Sequence, residues 1–265
     1  VLQIEEQNGV KTVKGTVTAQ GVSISVYMYF VDGMLIDTST VQLQRWLIPF
    51  YEEHNIDMVS LTHWHEDHTG TAAWLQKNKD IPIHIHPMSI EICRQPASYA
   101  QYRKKFWGVR EPFEALPYDK KVESRSRSWD VIHTPGHSAD HVSLYEAETG
   151  ILFSGDLFVS PKPKLILKDE SIPLTIATIR NVLTYDFEEM FCSHSGYHHN
   201  GRKVLQNKLN CLEELSGEII HLHEQGLSMN EINQEIYPRP QPMQALSNGE
   251  WDSIHIVRSV LGEYV

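Results

Sequence analysis

The sequence predicts an α/β protein with sheets covered by helices on their outer faces. Three observations carry this. Short apolar, β-branched runs recur along residues 10–193, many of them alternating as half-buried strands do. Segments with helical apolar spacing stand between or after them, first in one half of the chain and then in the other, and strands that alternate with helices favour sheets with helices outside. Several apolar runs end in a loop rich in His, Asp or Gly.

In chain order, residues 10–17 and 22–31 read as strands, with turns at Gly21 and Asp32-Gly33. Asp-Gly is a strong two-residue hairpin signal. Residues 34–38 form a short strand that delivers Asp37. Residues 40–54 have helical spacing, with Leu43, Trp46, Leu47 and Phe50 on one face. A strand ends at His63, a short helix spans 71–77 and a strand 81–86. Residues 95–117 interleave Tyr99, Tyr102, Phe106 and Trp107 with Arg103, Lys104, Lys105 and Arg110. This segment predicts an amphipathic helix over the core, or a cap whose Tyr102 and Phe106 face a substrate. Strands follow at 129–134, 142–145, 151–154 and 190–193, with a helix at 174–185. Residues 161–173 read as a loop bearing Lys162, Lys164 and Lys168. The tail is helical, with Leu205, Leu209, Leu212, Ile219 and Leu222 in register. Ser228 with Glu231 and Ser247 with Glu250 fit capping boxes and place helix starts near 229 and 248. Pro238, Pro240 and Pro242 between them predict a stiff linker. The expected division is a catalytic region, 1–203, and a helical extension, 204–265, which is also a candidate dimerisation element.

Bulk properties narrow the function. The 265 residues, 41% of them hydrophobic, suit one large domain or a domain with an appendage. The net charge of −11, from 23 basic and 34 acidic residues, argues against nucleic acid as a partner, since such proteins show a basic face. No apolar run reaches the roughly 20 residues of a membrane span. Three scattered cysteines, Cys93, Cys192 and Cys211, suggest neither a disulfide framework nor a thiolate zinc site. The first residues lack the basic and apolar regions of a signal peptide. A cytoplasmic setting is the expectation.

The run Leu61-Thr62-His63-Trp64-His65-Glu66-Asp67-His68-Thr69-Gly70 points to a metal. Imidazole and carboxylate suit borderline divalent ions, and a solvated loop rarely needs three imidazoles so close together. Four other strand ends repeat the pattern: Asp37, His133-Thr134-Pro135-Gly136-His137-Ser138, Ser154-Gly155-Asp156 and Ser193-His194-Ser195-Gly196. Ligands at strand ends converge when sheets pack. Trp64 and Glu66, alternating with the ligands, are expected in packing and at the surface. His133 and His141 are expected in supporting roles, and His198 and His199 at the site mouth or in a solvated loop. His84, His86, His221, His223 and His255 are expected to be ordinary packed or surface residues.

In this order the motifs resemble those of the metallo-β-lactamase superfamily, from about Asp37 to Gly196. The resemblance implies a four-layer αββα sandwich with a metal site at the common edge of two sheets. It implies that His63, His65 and His137 serve one metal and Asp67, His68 and His194 a second, with Asp156 bridging and Asp37 supporting the ligand loop from behind. The cofactors implied are two divalent ions, zinc first, with iron or manganese as alternatives. The pattern is most similar to thioesterases of the glyoxalase II type, to acyl-homoserine lactonases and to phosphodiester hydrolases of the family, and not to true β-lactamases, which lack that bridge. It implies a hydrolase of a small ester, thioester or lactone, possessing a metal-bridging hydroxide and using Asp67 to orient the nucleophile and take its proton. The lysines at 162–168 suggest an anionic substrate. Where lactonases carry a tyrosine after the bridging Asp, Leu157-Phe158-Val159 stands here. Phe158 and Tyr197 are therefore candidate substrate contacts, Tyr197 as an oxyanion helper. A phosphodiesterase or nuclease, and a non-catalytic metabolite-binding regulator, are the alternative readings.

Overall fold

The computed structural model describes residues 2–262; Val1 and residues 263–265, the outer ends of the two expected regions, lie outside them. The first half contains β1 (Gln3–Gln7), β2 (Val10–Ala19), β3 (Val22–Val31), β4 (Met34–Ile36), α1 (Gln44–Glu53), β5 (Met58–Ser60), α2 (Glu66–Thr69), α3 (Ala72–Lys79), β6 (Ile83–Ile85), α4 (Ile90–Arg94), α5 (Gln101–Trp107) and β7 (Leu116–Pro117). The second contains β8 (Lys121–Glu123), β9 (Ser128–His133), β10 (Val142–Glu146), β11 (Ile151–Gly155), β12 (Ile166–Leu167), α6 (Ile172–Val182), β13 (Glu189–Cys192), β14 (Gly196–His198), α7 (Gly201–Glu224), α8 (Met229–Ile236), α9 (Pro242–Leu246), β15 (Trp251–Asp252) and α10 (Ile254–Leu261).

Strands β1 to β7 form one sheet in sequence order, and β14-β13-β11-β10-β9-β8 form the other. Side chains alternate between two environments along each strand, as a period of two requires. In β3, Val26 and Met28 join the apolar cluster beneath α1, α3 and α5, whereas Tyr29 and Val31 face the opposite sheet. In β11, Leu152 packs under α6 and α7, while Ile151 and Phe153 turn inward. The inner cluster joins Tyr29, Met34 and Ile36 of one sheet to Trp129, Leu144, Phe153 and Phe191 of the other. Three stacked apolar layers between four layers of secondary structure make this an αββα sandwich. Burying each of these large side chains contributes about 1.5–3 kcal/mol.

The sequence-based expectations need several corrections. Strand β1 pairs with β2 through Gln3↔Lys14 to Gln7↔Val10, although its polar, exposed residues carry little strand signal. Trp46 is 37% exposed and stacks with Arg45 at 3.8 Å rather than entering the core with Leu47. Within 95–117 only Gln101–Trp107 is helical. Gly108, at φ +92, ends that helix, and the Tyr99 hydroxyl donates to the Gly108 carbonyl at 2.7 Å. The 161–173 loop contains β12, which pairs with β15. No helix starts near 248. Gln241 and Gln244 cap each other and Pro242 opens α9, while Asn248 and Gly249 take left-handed backbone. The Ser247 hydroxyl therefore accepts from Trp251 N–H at 3.0 Å. Helix α7 crosses the expected boundary at 203, and its Leu205, Leu209 and Leu212 belong to the core cluster on β11 and β13. Its first half is thus an outer layer of the sandwich. The capping box at Ser228 forms as expected. No helix among the described residues is long and apolar enough to cross a membrane.

Candidate metal centre

The sheets meet at one end, where their strands deliver polar residues. Parallel pairing of β4 and β5 aligns Ile36 with Ser60, so Asp37 and Thr62 leave side by side. Parallel pairing of β11 and β13 shifts register between Phe153 and Gly155, which brings Asp156 next to His194. Val142 N–H donates to the Thr62 carbonyl at 2.8 Å, and Tyr27 N–H to the Ser193 carbonyl at 2.9 Å. Those bonds tie the two sheets together beside the site.

Three overlapping sets of side chains converge closely enough to hold metal: His63, His65 and His137; His63, His68 and Asp156; and Asp67, His68 and His194. His65 Nδ1 lies 3.0 Å from His63 Nε2 and 3.1 Å from His137 Nε2. Tetrahedral ligands at zinc distances would be spaced by about 3.3 Å. Asp156 reaches both groups: Oδ2 is 3.4 Å from His137 Nε2 and 3.2 Å from His194 Nε2, and Oδ1 is 3.5 Å from His68 Nε2. Asp67 Oδ2 is 3.3 Å from His194 Nε2 and 3.8 Å from His68 Nε2. His68 Nε2 and Asp156 Oδ1 are buried without a hydrogen-bond partner. Orphaned ligand atoms facing one another in a wholly His/Asp donor set fit divalent cations.

Electrostatics agree. Burial, aided by neighbouring imidazoles, holds His63 and His65 well below the ordinary histidine range. They are therefore neutral, as ligation requires. Burial also works against charge on His68 and His194, yet Asp156, with Asp67 beside both and Asp37 beside His68, raises both well above that range. Burial opposes ionisation of Asp156 too, but His194 and His68 outweigh it and hold its carboxyl well below the usual value. Buried carboxylates thus gather positive charge at this point, as they would gather metal cations.

The supporting residues are equally specific. Asp37, buried and in left-handed backbone at φ +59, accepts from Thr62 N–H at 2.8 Å, from the Thr62 hydroxyl at 2.9 Å and from the Ser193 hydroxyl at 3.2 Å. Its Oδ2 also pairs with His68 Nδ1 at 2.8 Å. It orients one candidate ligand and braces the strand end carrying another, as carboxylates do behind metal-bound histidines. His141 Nε2 accepts from Asp156 N–H at 2.9 Å, and its Nδ1 meets the Thr134 hydroxyl at 2.7 Å. Burial lowers its pKa to about 3, so His141 is a neutral brace for the Asp156 backbone. Gly155, at φ +51, leaves space for it, since a Cβ there would lie 2.5 Å from His141 Nε2. His133 stacks on His86, ring centroids 4.6 Å apart, outside the cluster.

Sequence reasoning missed four residues. Glu170 Oε2 lies 3.2 Å from His137 Nδ1 and orients that ring; no local motif marks it. Asp140 accepts from Trp64 N–H at 2.9 Å and from the hydroxyls of Ser89 and Ser138, each at 2.7 Å. Its place three residues after His137 was the available signal. Lys208 of α7 is only 8% exposed. Glu66 is the fourth, and here the expectation is overturned: its side chain is 1% exposed and paired with Arg103 at 2.5 Å, because α5 lays a guanidinium over it.

A cleft of about 760 Å³ opens on the centre and is lined by His65, Asp67, His137, Asp156 and His194 together with Arg103, Lys162, Lys164, Lys208 and apolar residues including Trp107 and Met243. None of the four expected substrate contacts lines it. Phe106 is 2% exposed in the core beneath the first sheet, and Phe158 is packed under α7. Tyr102 does not reach the cleft, and its buried hydroxyl makes no hydrogen bond. The Tyr197 hydroxyl faces Asn8 and His199.

Such a centre at the shared end of two sheets defines an αββα protein built to bind metal. A family model for the metallo-β-lactamase superfamily matches residues 25–194, and the chain belongs to that superfamily. It is 30% identical over 152 residues to the β-lactamase-like protein 2 homolog of Caenorhabditis elegans, covering 54% of this chain and 46% of that protein. It is 28% identical over 128 residues to the hydroxyacylglutathione hydrolase of Idiomarina loihiensis, covering 48% and 42%. The chain thus spans about half the length, or less, of these curated relatives. Among solved structures, a metallo-β-lactamase family protein of Thermus thermophilus superimposes with a TM-score of 0.70 at 16% identity, over 97% of this chain and 92% of that one. At that identity the likeness is one of fold.

Proposed function

We propose that the protein is a hydrolase of a small ester, thioester or lactone bearing an anionic group, and that it uses two divalent ions, zinc first among them. The observation that carries this reading is Asp156 on the floor of an open cleft, whose carboxylate reaches both histidine groups: Oδ2 lies near His137 of one and His194 of the other, and Oδ1 near His68. His63, His65 and His137 would hold one ion and Asp67, His68 and His194 the other, with Asp156 shared. Divalent ions bound there acidify water and polarise a carbonyl oxygen. The chain's own residues supply the rest. Asp67 lines the cleft; burial alone would raise its pKa, but His68 and His194 lower it, so its ionised carboxylate can orient a water and receive its proton. Trp107, Leu165 and Met243 give the cleft an apolar wall that suits an acyl chain.

The anionic group is assigned to Lys208. Its ammonium has three donors, and among the described residues its one hydrogen bond is to the Phe158 carbonyl at 2.5 Å. Burial lowers its pKa to about 8. The lysine is therefore expected to lose its charge as pH rises through about 8, and KM for an anionic substrate to rise with it. Lys208→Met is expected to raise that KM by about tenfold or more, the worth of a hydrogen bond to a charged group, and to leave KM for a neutral substrate of the same acyl group unchanged. Equal KM changes for the two substrates would refute the assignment.

The reading as a whole is tested by metal analysis joined to a panel of thioesters, lactones, aryl esters, a β-lactam and bis-p-nitrophenyl phosphate. Carbonyl-ester or thioester turnover that a chelator abolishes is the expected result. Turnover of the phosphodiester alone would assign a phosphodiesterase instead, and a metal-loaded chain inert to every substrate would assign a metabolite-binding protein.

A further inference from the structure

Glu66 stands between two candidate ligands, His65 and Asp67, yet engages neither group of the centre. Arg103 grips it at two points, Nε to Oε1 at 2.5 Å and Nη2 to Oε2 at 2.8 Å. Nη1 of the same guanidinium donates to Glu250 Oε1 at 3.0 Å. Glu250 precedes Trp251, whose strand β15 pairs with β12, and its carbonyl accepts from Lys168 N–H at 3.1 Å. Arg103 and Trp251 both line the cleft, as do Lys162 and Lys164 of the loop that β15 holds. One side chain therefore touches the metal loop on one side and the substrate wall on the other. A planar fork can make these contacts together; an ammonium, with a single nitrogen, cannot.

The geometry points to Arg103 as a positioning residue that holds His65 and Asp67 in place for metal through Glu66, and the cleft wall in place for substrate through Glu250. The inference rests on the reading that the His/Asp centre holds divalent ions. Glu66 is a buried carboxylate in the middle of the ligand run, and a carboxylate there without a two-point partner would pull toward water and take its flanking ligands with it.

The test is zinc affinity, measured by chelator competition on the full chain, together with kcat and KM on a neutral aryl ester and thermal unfolding of the metal-free chain. Arg103→Lys, which keeps the charge and loses the fork, is expected to weaken zinc binding by about 10-fold, the low end of the effect of removing a direct partner of a metal ligand, because Arg103 acts through Glu66. Glu250→Ala is expected to leave zinc affinity unchanged and to raise KM with kcat retained, because it frees only the wall. An Arg103→Lys chain that binds zinc as tightly as the parent, with only its thermal stability reduced, would overturn the inference. Should that variant fail to fold, Glu66→Gln combined with Arg103→Gln, which buries no lone charge, carries the same expectation. Zinc affinity is read without substrate. A parent chain that binds zinc but hydrolyses nothing would therefore defeat the hydrolase reading and leave this test intact.

Discussion

Asp156→Ala is expected to lower bound metal and turnover together, with kcat/KM falling by on the order of 10³-fold or more. A factor of that size corresponds to about 4 kcal/mol of lost transition-state stabilisation. The physical reason is that, among the described residues, Asp156 is the one carboxylate whose oxygens reach His68, His137 and His194, at 3.5, 3.4 and 3.2 Å. Removing it takes a negative charge from between two groups of imidazoles, and two cations can be held close together only with such a charge between them. Metal content by elemental analysis, measured beside activity on the substrate that proves best, decides the matter. Circular dichroism of the same sample separates lost chemistry from lost fold. A variant with parental metal content and full turnover would show that Asp156 bridges nothing.

The second large effect is expected at Asp37, and it falls on stability first. This buried carboxylate accepts from the Thr62 backbone and hydroxyl and from Ser193, and it pairs with His68. Asp37→Ala leaves the Thr62 N–H without an acceptor, costing about 1–3 kcal/mol, and strips His68 of a charged partner. The combined destabilisation is expected to be about 3–5 kcal/mol, the range for breaking a buried pair, with metal affinity reduced by about 10–100-fold. Urea unfolding with and without chelator measures both effects. If the metal-free variant were as stable as the metal-free parent, Asp37 would not be the brace described here. The contrast between the two positions is informative. Asp156 faces the cleft, and its loss is expected to be felt in chemistry; Asp37 stands behind the candidate ligands, and its loss is expected to be felt in the frame.

The candidate centre was largely legible before folding because its residues announce themselves locally. Three histidines and an aspartate fall within the run His63 to His68, and the remaining candidates sit where apolar strands stop. Strand alternation in residues 10–31 was equally plain, and the two strands formed at Val10–Ala19 and Val22–Val31. What could not be read were the partners that meet across the chain. Glu170 and Asp140 are ordinary acidic residues until packing brings them to His137 and to Trp64 N–H. Glu66 looked like a surface residue because its burial depends on Arg103, a residue of another helix. Ser247 looked like a helix cap because S-x-x-E is a local pattern, whereas the outcome depended on Pro242 and on the pairing of β15 with β12. Phe106 and Phe158 are both aromatic and close in sequence to suggestive features, and only their burial in the two outer core layers removes them from the cleft.

By itself the sequence determined the layered α/β class, the side-chain chemistry of the centre and the strand ends that present it. These follow from short-range periodicity and from residue types that few other roles demand. The tertiary structure alone decided which oxygen of Asp156 meets which histidine, that Lys208 and Arg103 face the cleft, and that the C-terminal segment forms its wall. Those are contacts between residues distant in the chain, set by how two sheets pack and where their helices lie, and no local pattern of residues encodes them.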